Sequence, residues 1–452
     1  MIMKINISRK FQGWVKVLPF YLLTFLPSSA QKQWTLRECE DYAIANNISI
    51  KQSEVARVKQ TYALSTARNK RLPDLSASLG ENLSFGRGLT EANTYDNTNT
   101  SNTSLQLQTS VPLFSGFEIP ENIKLNRLNL EALTEDLEKA KNNIRMQVAQ
   151  AYVQILYDQE MSAVAQRQID IDSMQVVRLT AFVNNGKASV SELSQQQSTL
   201  ATSRLTATQA VNKCRLSILA LTQLLELSTP EGFAVVSPDM SELGKLEDIN
   251  LLTPDDIYAE ALTFKPEIRS EQLRLQGSEH SINIAKAGYY PKLNFSAGLG
   301  SNYYTSSAYD SDPFGKQIKN NFSQFIGLNL NIPIFSRFQV RNSVRSARVD
   351  RLNQELKLEN AKKTLYKEIQ QVYYNALNAV SKEESSREAV VSSEDAFKLM
   401  QAKYENGKAT ITEFNEAKNK YLKAESDLVQ ARYERLYQWA LLDFYRGRDL
   451  DF

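Results

Sequence analysis

The chain has 452 residues, of which 42% are hydrophobic and 23% charged, a balance that argues against disorder. It holds only 16 Gly and 12 Pro, which favours a few long elements over many short ones. Of its 53 basic residues four lie in the first thirty positions, leaving 49 against 51 acidic ones; that near-neutral balance argues against a nucleic-acid partner.

Residues 1–30 read as a secretory signal. Lys4, Arg9, Lys10 and Lys16 form a basic start, Val17 to Leu26 an apolar run too short to cross a bilayer, and Ser28-Ser29-Ala30 a small-residue cleavage site. Beyond it no apolar run approaches the roughly 20 residues of a membrane helix. Cys39 follows Arg37 and Glu38, which does not suit a lipid-attachment site, and it is far from Cys214. Both are expected to be structural or incidental, with no metal-ligand spacing.

The first folded repeat is predicted over 31–227. A helix from Ile48 to Arg71 leads to Pro73 and a strand at 74–86, where Leu75, Ala77, Leu79, Leu83 and Phe85 alternate with Ser76, Ser78 and Gly80. A Gly/Asn/Ser/Thr-rich loop follows. The next strand, 104–114, sets Leu105, Leu107, Val111 and Leu113 against Gln106, Gln108 and Ser110. From Glu121 to Asn185 there is no Gly or Pro in 65 residues, which as one helix would reach about 95 to 100 Å. Leu130, Leu133, Leu137, Ala140, Ile144, Val148, Ala151 and Ile155 mark a coiled-coil seam along it. Asn185-Gly186 is a left-handed turn signal, and a return helix is expected from Lys187 to about Leu227, roughly two-thirds of the outward length. Residues 228–255, rich in Pro, Gly, Glu and Asp, are expected to form an irregular patch at mid-height.

The second repeat, 256–452, follows the same plan: a helix from Pro266 to Gly288, strands at 292–303 and 322–335, a long helix to Asn406, a tip near Gly407 and a return helix from Lys408 to about Arg446. Leu72-Pro73-Asp74-Leu75 reappears 218 positions later as Tyr290-Pro291-Lys292-Leu293. Val111-Pro112-Leu113-Phe114-Ser115 and Asn185-Gly186-Lys187-Ala188 reappear 221 positions later, as Ile332-Pro333-Ile334-Phe335-Ser336 and Asn406-Gly407-Lys408-Ala409. Three matches in the same order mean duplication.

The strand alternation also suits a half-buried soluble sheet. Strand lengths near the 9 to 11 residues of a tilted membrane strand favour the membrane, as do the aromatics at the strand–helix borders (Phe114, Phe117, Tyr289, Tyr290, Phe335 and Phe338). Four strands cannot close a usable barrel, and open edges do not persist in lipid, so membrane strands would require several chains to share one barrel. The expected class is mainly α with transmembrane β. A single histidine, His280, excludes histidine triads and clusters, and is expected on the solvated surface; no Gly-rich phosphate loop is present. Nothing points to an enzyme, a cofactor or a bound metal.

This order of elements resembles the TolC family of outer-membrane efflux proteins. The likeness rests on the duplicated strand–loop–strand and helical hairpin, the opening run Trp34 to Ala43, the Leu-Pro-x-Leu and Val-Pro-Leu-Phe borders and the Gly-centred tips. It implies a homotrimer in the outer membrane, each protomer giving four strands to a shared twelve-stranded barrel and helices to a long periplasmic coiled-coil barrel. It further implies a passive duct for tripartite efflux or type I secretion, opened at its tips by a periplasmic adaptor (membrane fusion) protein and energised by an inner-membrane RND- or ABC-type pump. On that model Gly186, Lys187, Ala188, Leu193, Gly407, Lys408, Ala409 and Phe414 would meet the adaptor. Glu413 and Glu416, with Glu192 from the first tip, would form the acidic constriction. A helix this charged also carries such acids for solvation alone. The family's tip arginine has no counterpart, for Ala409 stands in its place. A secreted coiled-coil scaffold or adhesin without channel activity is the alternative reading.

Overall fold

The computed structural model describes residues 33–90, 92–238 and 253–450. The proposed signal lies outside them, as does 239–252 of the mid-height segment. The chain runs β1 (Gln33–Trp34), α1 (Leu36–Asn46), α2 (Ile48–Asn69), β2 (Asp74–Leu89), β3 (Tyr95–Phe114), α3 (Glu118–Asn184), α4 (Val190–Leu224) and β4 (Ala234–Val235). It continues through α5 (Pro254–Phe264), α6 (Pro266–Lys286), β5 (Lys292–Ser306), α7 (Phe314–Asn320), β6 (Ser323–Asn331), α8 (Gln339–Glu405) and α9 (Ile411–Tyr445).

Four strands form one antiparallel sheet in the order β2-β3-β5-β6. The β2–β3 pair runs unbroken from Asp74↔Ser110 to Leu89↔Tyr95. Strand β3 therefore starts nine residues before the expected 104. Its Asn/Thr/Ser run has loop composition, yet it is paired on both sides, to β2 and through Thr100↔Ser306 to β5. The expected second loop contains α7, and β6 ends at Asn331 rather than near 335.

The two long helices have 67 residues each, about 100 Å. Leu137, Ile144, Val148 and Ile155 of the expected seam are buried, and the other four positions are half-buried. Return helices α4 and α9 have 35 residues each, about half the outward length rather than two-thirds. Ser189 and Thr410 cap them after the tip turn, which moves their starts three residues along.

Two columns of the helical layer are spliced end to end. Asn47, the N-cap of α2, donates from Nδ2 to the Leu224 carbonyl at the end of α4 (3.1 Å). At the position 218 residues later, Lys265, the N-cap of α6, directs its buried ammonium to the Phe444 carbonyl at the end of α9 (3.5 Å) and over the rings of Phe444 and Tyr445 (4.3 and 4.5 Å). Each splice gives a terminal carbonyl a donor it would otherwise lack. Burial pushes the Lys265 ammonium pKa down. Side by side, α2, α3, α6 and α8 pack near the sheet, and α4, α3, α9 and α8 pack toward the tips.

The main apolar core lies where these columns meet. Cys39, Val148, Ile155, Leu221, Ile257 and Ile369 are among its buried members. Strand β4 pairs in parallel with β1 there, and the Tyr152 hydroxyl donates to the Val236 carbonyl (2.6 Å). Cys39 and Cys214 are free thiols.

His280 is not a solvated surface residue. It is half-buried and its Nδ1 stands 2.7 Å from Glu121 Oε2, tying α6 to α3. Burial raises the Glu121 carboxyl, but hydrogen bonds from His280, Lys124 and Asn283 outweigh it and bring it down to about 2. The sign is that of a depressed acid: this tie is present above the ordinary carboxylate pKa and is lost as pH falls toward 2.

Each strand-to-long-helix corner uses two successive left-handed residues, Gly116-Phe117 (φ 66° and 68°) and Arg337-Phe338 (φ 49° and 61°). At Gly116 an added Cβ would stand 2.7 Å from the Ala287 carbonyl oxygen and 2.9 Å from Tyr290 Cβ. Gly116→Ala should therefore destabilise this corner by about 1 to 3 kcal/mol, seen as a lower thermal midpoint by circular dichroism in detergent. An unchanged midpoint would show that the corner can shift.

Candidate functional site: sheet face and hairpin tips

The sheet has one apolar and one polar face. Register places Leu75, Thr109, Ala297 and Ile326 in one row, and Ala77, Leu107, Leu299 and Gln324 in the next. Most of the apolar side chains stand open: Leu75 and Leu79 are 72% exposed, Ile326 80% and Leu328 67%. The other face carries Ser76, Ser78, Gln106, Gln108, Asn294, Ser296 and Asn329. Its one large apolar side chain in this stretch, Phe325, lies against Gly298, where a Cβ would meet the ring at 2.6 Å. Among the described residues the short helix α7 packs on the far end of β5, where the Phe314 ring meets Tyr303 at 5.2 Å, and the Leu75 to Leu328 rows stand open. Among the described residues no helix is long and apolar enough to cross a membrane.

Below the sheet the border aromatics gather. Phe114 and Phe117 meet edge to face at 5.2 Å, and Phe117 meets Tyr290 at 5.8 Å. Phe335 and Phe338 form a second such pair at 5.5 Å, with the Arg341 guanidinium 4.1 Å over the Phe338 ring. Tyr289 is exposed beside them.

At the far end the two tips have the same construction. Gly186 and Gly407 hold φ at 69° and 70°, which an L side chain resists, and no atom lies near their missing Cβ. Asn185 and Asn406 each donate a side-chain hydrogen bond to the carbonyl four residues back (2.7 and 2.8 Å). After each turn comes a capping box. Glu192 accepts from the Ser189 amide (3.1 Å) and Glu413 from the Thr410 amide (2.7 Å), while their own amides bond the capping hydroxyls. Bonds from the Thr410 amide and hydroxyl hold the Glu413 carboxyl below the usual range. Glu416 is exposed and pairs with Lys420 one turn on (2.9 Å).

The expected tip residues divide by burial. Gly186, Lys187, Gly407 and Lys408 are exposed, while Ala188, Leu193 and Ala409 are half-buried. Phe414 does not present a contact surface. It is fully buried, packed with Leu179, Phe397 and Ile411, its ring 5.2 Å from Tyr404 and 5.6 Å from Phe397. Its place in the apolar stripe Ile411, Phe414, Leu422 accounts for this.

One feature near the tips was not anticipated. Asp172 of α3 and Lys418 of α9, both fully buried, form an ion pair. Ser203 Oγ donates to Asp172 Oδ2 (2.6 Å), Gln196 Nε2 to Oδ1 (3.2 Å), and Asn415 Nδ2 to Gln196 Oε1 (3.3 Å). Removing one partner of such a pair costs about 3 to 5 kcal/mol, because the other charge stays buried and unpaired. The sequence signal was a lysine on an otherwise apolar helix stripe. Farther along the same seam Arg167 binds Glu425 (2.6 Å), and Arg178 reaches from α3 to Glu405 at the end of α8 (3.0 Å).

A family model described as outer membrane efflux protein matches residues 41–226 and 257–448. The chain is 22% identical over 428 residues to outer membrane protein TolC of Escherichia coli K12, covering 93% of this chain and 84% of that one. It is 25% identical over 396 residues to the pyoverdine export outer membrane protein OpmQ of Pseudomonas aeruginosa, covering 84% and 78%. Among solved structures, CusC superposes with a TM-score of 0.76 at 15% identity over 91% of both chains. The outer membrane protein VceC of Vibrio cholerae superposes at 0.73, with 15% identity over 92% of this chain and 97% of that one.

Thr410→Ala should speed amide exchange at Glu413 and Phe414 by about fivefold, the effect of the roughly 1 kcal/mol that losing a threonine cap costs. Mass-resolved exchange of the tip peptide at neutral pH measures it. Unaltered exchange would mean that packing around Phe414 alone holds the helix start.

Proposed function

The chain belongs to the outer membrane efflux protein family, and from that premise we propose that it is a passive exit duct through the outer membrane. The family consists of channels rather than enzymes, and the protein is an outer-membrane one with a large periplasmic helical part. The observation that carries the proposal is the sheet: an uncovered apolar face, a polar face of hydroxyls and amides, and two open edges, β2 and β6. In lipid those edges must be paired, and three copies would close a twelve-stranded barrel with the polar face inward.

In this reading the outer-membrane lipid meets the Leu75 to Ile326 face, and the border aromatics sit at the periplasmic interface. The 100 Å helices carry the duct toward the inner membrane. A periplasmic adaptor would meet the exposed tip residues around Gly186 and Gly407, with the half-buried Ala188, Leu193 and Ala409 beneath them. An RND- or ABC-type pump would supply the energy. Glu413 and Glu416, repeated by threefold symmetry, would ring the closed end with carboxylates and favour cations, with Glu192 at the first tip. A scaffold without channel activity would leave the apolar face unused.

Membrane fractionation tests the main claim: the protein should require detergent for release and run as a heat-labile trimer, and recovery in the soluble periplasm would sink it. Replacing Glu413 and Glu416 by Ala should weaken block by multivalent cations in a planar bilayer. Unchanged block would remove these carboxylates from the constriction.

A further inference from the structure

The duplication is kept in the sheet down to the single residue pair. Moving each β2 position on by 218 and each β3 position by 221 turns the pairs of the first hairpin into those of the second: Asp74↔Ser110 becomes Lys292↔Asn331, and Leu75↔Thr109 becomes Leu293↔Leu330. The register is the same in both, although the second strand-to-strand connection has gained three residues. Between the hairpins lies the β3–β5 junction, which joins the end of one repeat to the start of the other, with Leu105↔Ser301 and Leu107↔Leu299 among its pairs. In a closed trimer β6 would stand to β2 of the next copy as β3 stands to β5. The same shifts place Ile326 opposite Leu83 of that copy and Leu328 opposite its Glu81.

We propose that the copies join in this register, β6 to β2 through Ile326–Leu83 and Leu328–Glu81, so that all six hairpins of the barrel are equivalent. The inference rests on the trimeric duct reading. The distribution of apolar side chains supports it independently. The row that starts at Ala77 ends at Gln324, whereas Ala77 of the next copy would fall opposite Ile332. That is a stagger of eight residues per protomer, or two per strand, and closure requires such a stagger. Levelled by it, Leu75, Val111, Leu293 and Ile332 share one depth just above the border aromatics. Leu79, Leu107, Ala297 and Leu328 share the depth four residues farther out. Ten residues out, Phe85, Tyr303 and Phe322 stand level, a second aromatic girdle one membrane-strand length from the first. The belt between holds a single charge, Glu81, and its carboxylate accepts hydrogen bonds from the Ser101 and Thr103 hydroxyls, both farther out. A slip of one residue at the junction would turn the faces over. A slip of two would keep the faces and break the equivalence of the hairpins.

Disulfide formation across the junction tests the register. In the full-length protein with Cys39→Ala and Cys214→Ser, two matched cysteine pairs are made, Leu83→Cys with Ile326→Cys and Glu81→Cys with Leu328→Cys. Two slipped pairs exchange the same positions, Glu81→Cys with Ile326→Cys and Leu83→Cys with Leu328→Cys, and cover a slip of two residues in either direction. Within one copy these positions lie on the two outer strands of the sheet, so a disulfide joins two copies. Directly opposed residues have Cα atoms about 4.5 to 5.5 Å apart, within disulfide reach, and a slip of two residues takes them to about 7 to 8 Å, beyond it. After mild oxidation of outer membranes both matched pairs should give covalent oligomer on a denaturing gel at about tenfold the yield of the slipped pairs. Equal yields, or a slipped pair ahead, overturn the register. So does the lack of any cross-link in variants that still run as heat-labile trimers. Absence of a heat-labile trimer in the cysteine-free protein would instead remove the duct reading, and the junction with it.

Discussion

A row of unpaired backbone groups along the outer edges of β2 and β6 governs the rest of this molecule. A soluble sheet would leave them to water, but this one carries an uncovered apolar face, and in lipid an open edge has no partner. The constraint extends below the membrane. Each strand is joined directly to a helix, so the helix order α2-α3-α6-α8 copies the strand order β2-β3-β5-β6. The boundary at β6 therefore continues as α8, and the boundary at β2 continues as α2 and then α4. One pair of edges, fixed by backbone chemistry in the sheet, runs the whole length of the protomer.

Duplication supplied both halves of this architecture with the same fittings. Capping boxes recur at Thr35 and Thr253 and at Ser189 and Thr410, and the splice residue recurs as Asn47 and Lys265. The corner geometry recurs even where its chemistry does not, since Arg337 holds a left-handed φ where the first repeat has Gly116. The Asp172–Lys418 pair breaks the symmetry. Ser393 and Gln197 occupy the equivalent positions, so the repeats carry no second copy. An apolar seam between two duplicated hairpins would tolerate several registers, and a buried ion pair is a known device for admitting one.

What the sequence made legible was local and periodic. Alternation at Leu75 to Phe85 marked a strand, the unbroken run Glu121 to Asn185 a helix, and the repeated Asn-Gly the tips, because each signal lies within one element. What it hid was decided by partners far along the chain. The run Asn97 to Ser104 has the composition of a loop and becomes strand because β2 and β5 supply its hydrogen bonds. His280 looked solvated until Glu121, 159 positions away, closed on it. Asp172 and Lys418 are 246 positions apart. Proximity to the tip suggested a contact role for Phe414, whereas its stripe position placed it in the core.

The tip carboxylates show how one residue can answer to folding and to electrostatics together. Glu192 and Glu413 occupy the third position of their helices, where a capping box wants a carboxylate whatever the helix does next. That explains why both repeats keep an acid there, while the following position in the pair is Glu416 in one repeat and Gln195 in the other. Capping does not neutralise the charge. The bonds from Thr410 come from uncharged groups and favour the ionised form of Glu413, as its lowered pKa reflects. Glu416, by contrast, shares its charge with Lys420. If threefold symmetry turns these positions into rings, the stronger field belongs to Glu413, whose carboxylate is fixed by its cap and, among the described residues, has no cation at hydrogen-bond distance. The acid retained to start the helix is then also the one best placed to act on whatever passes the tip.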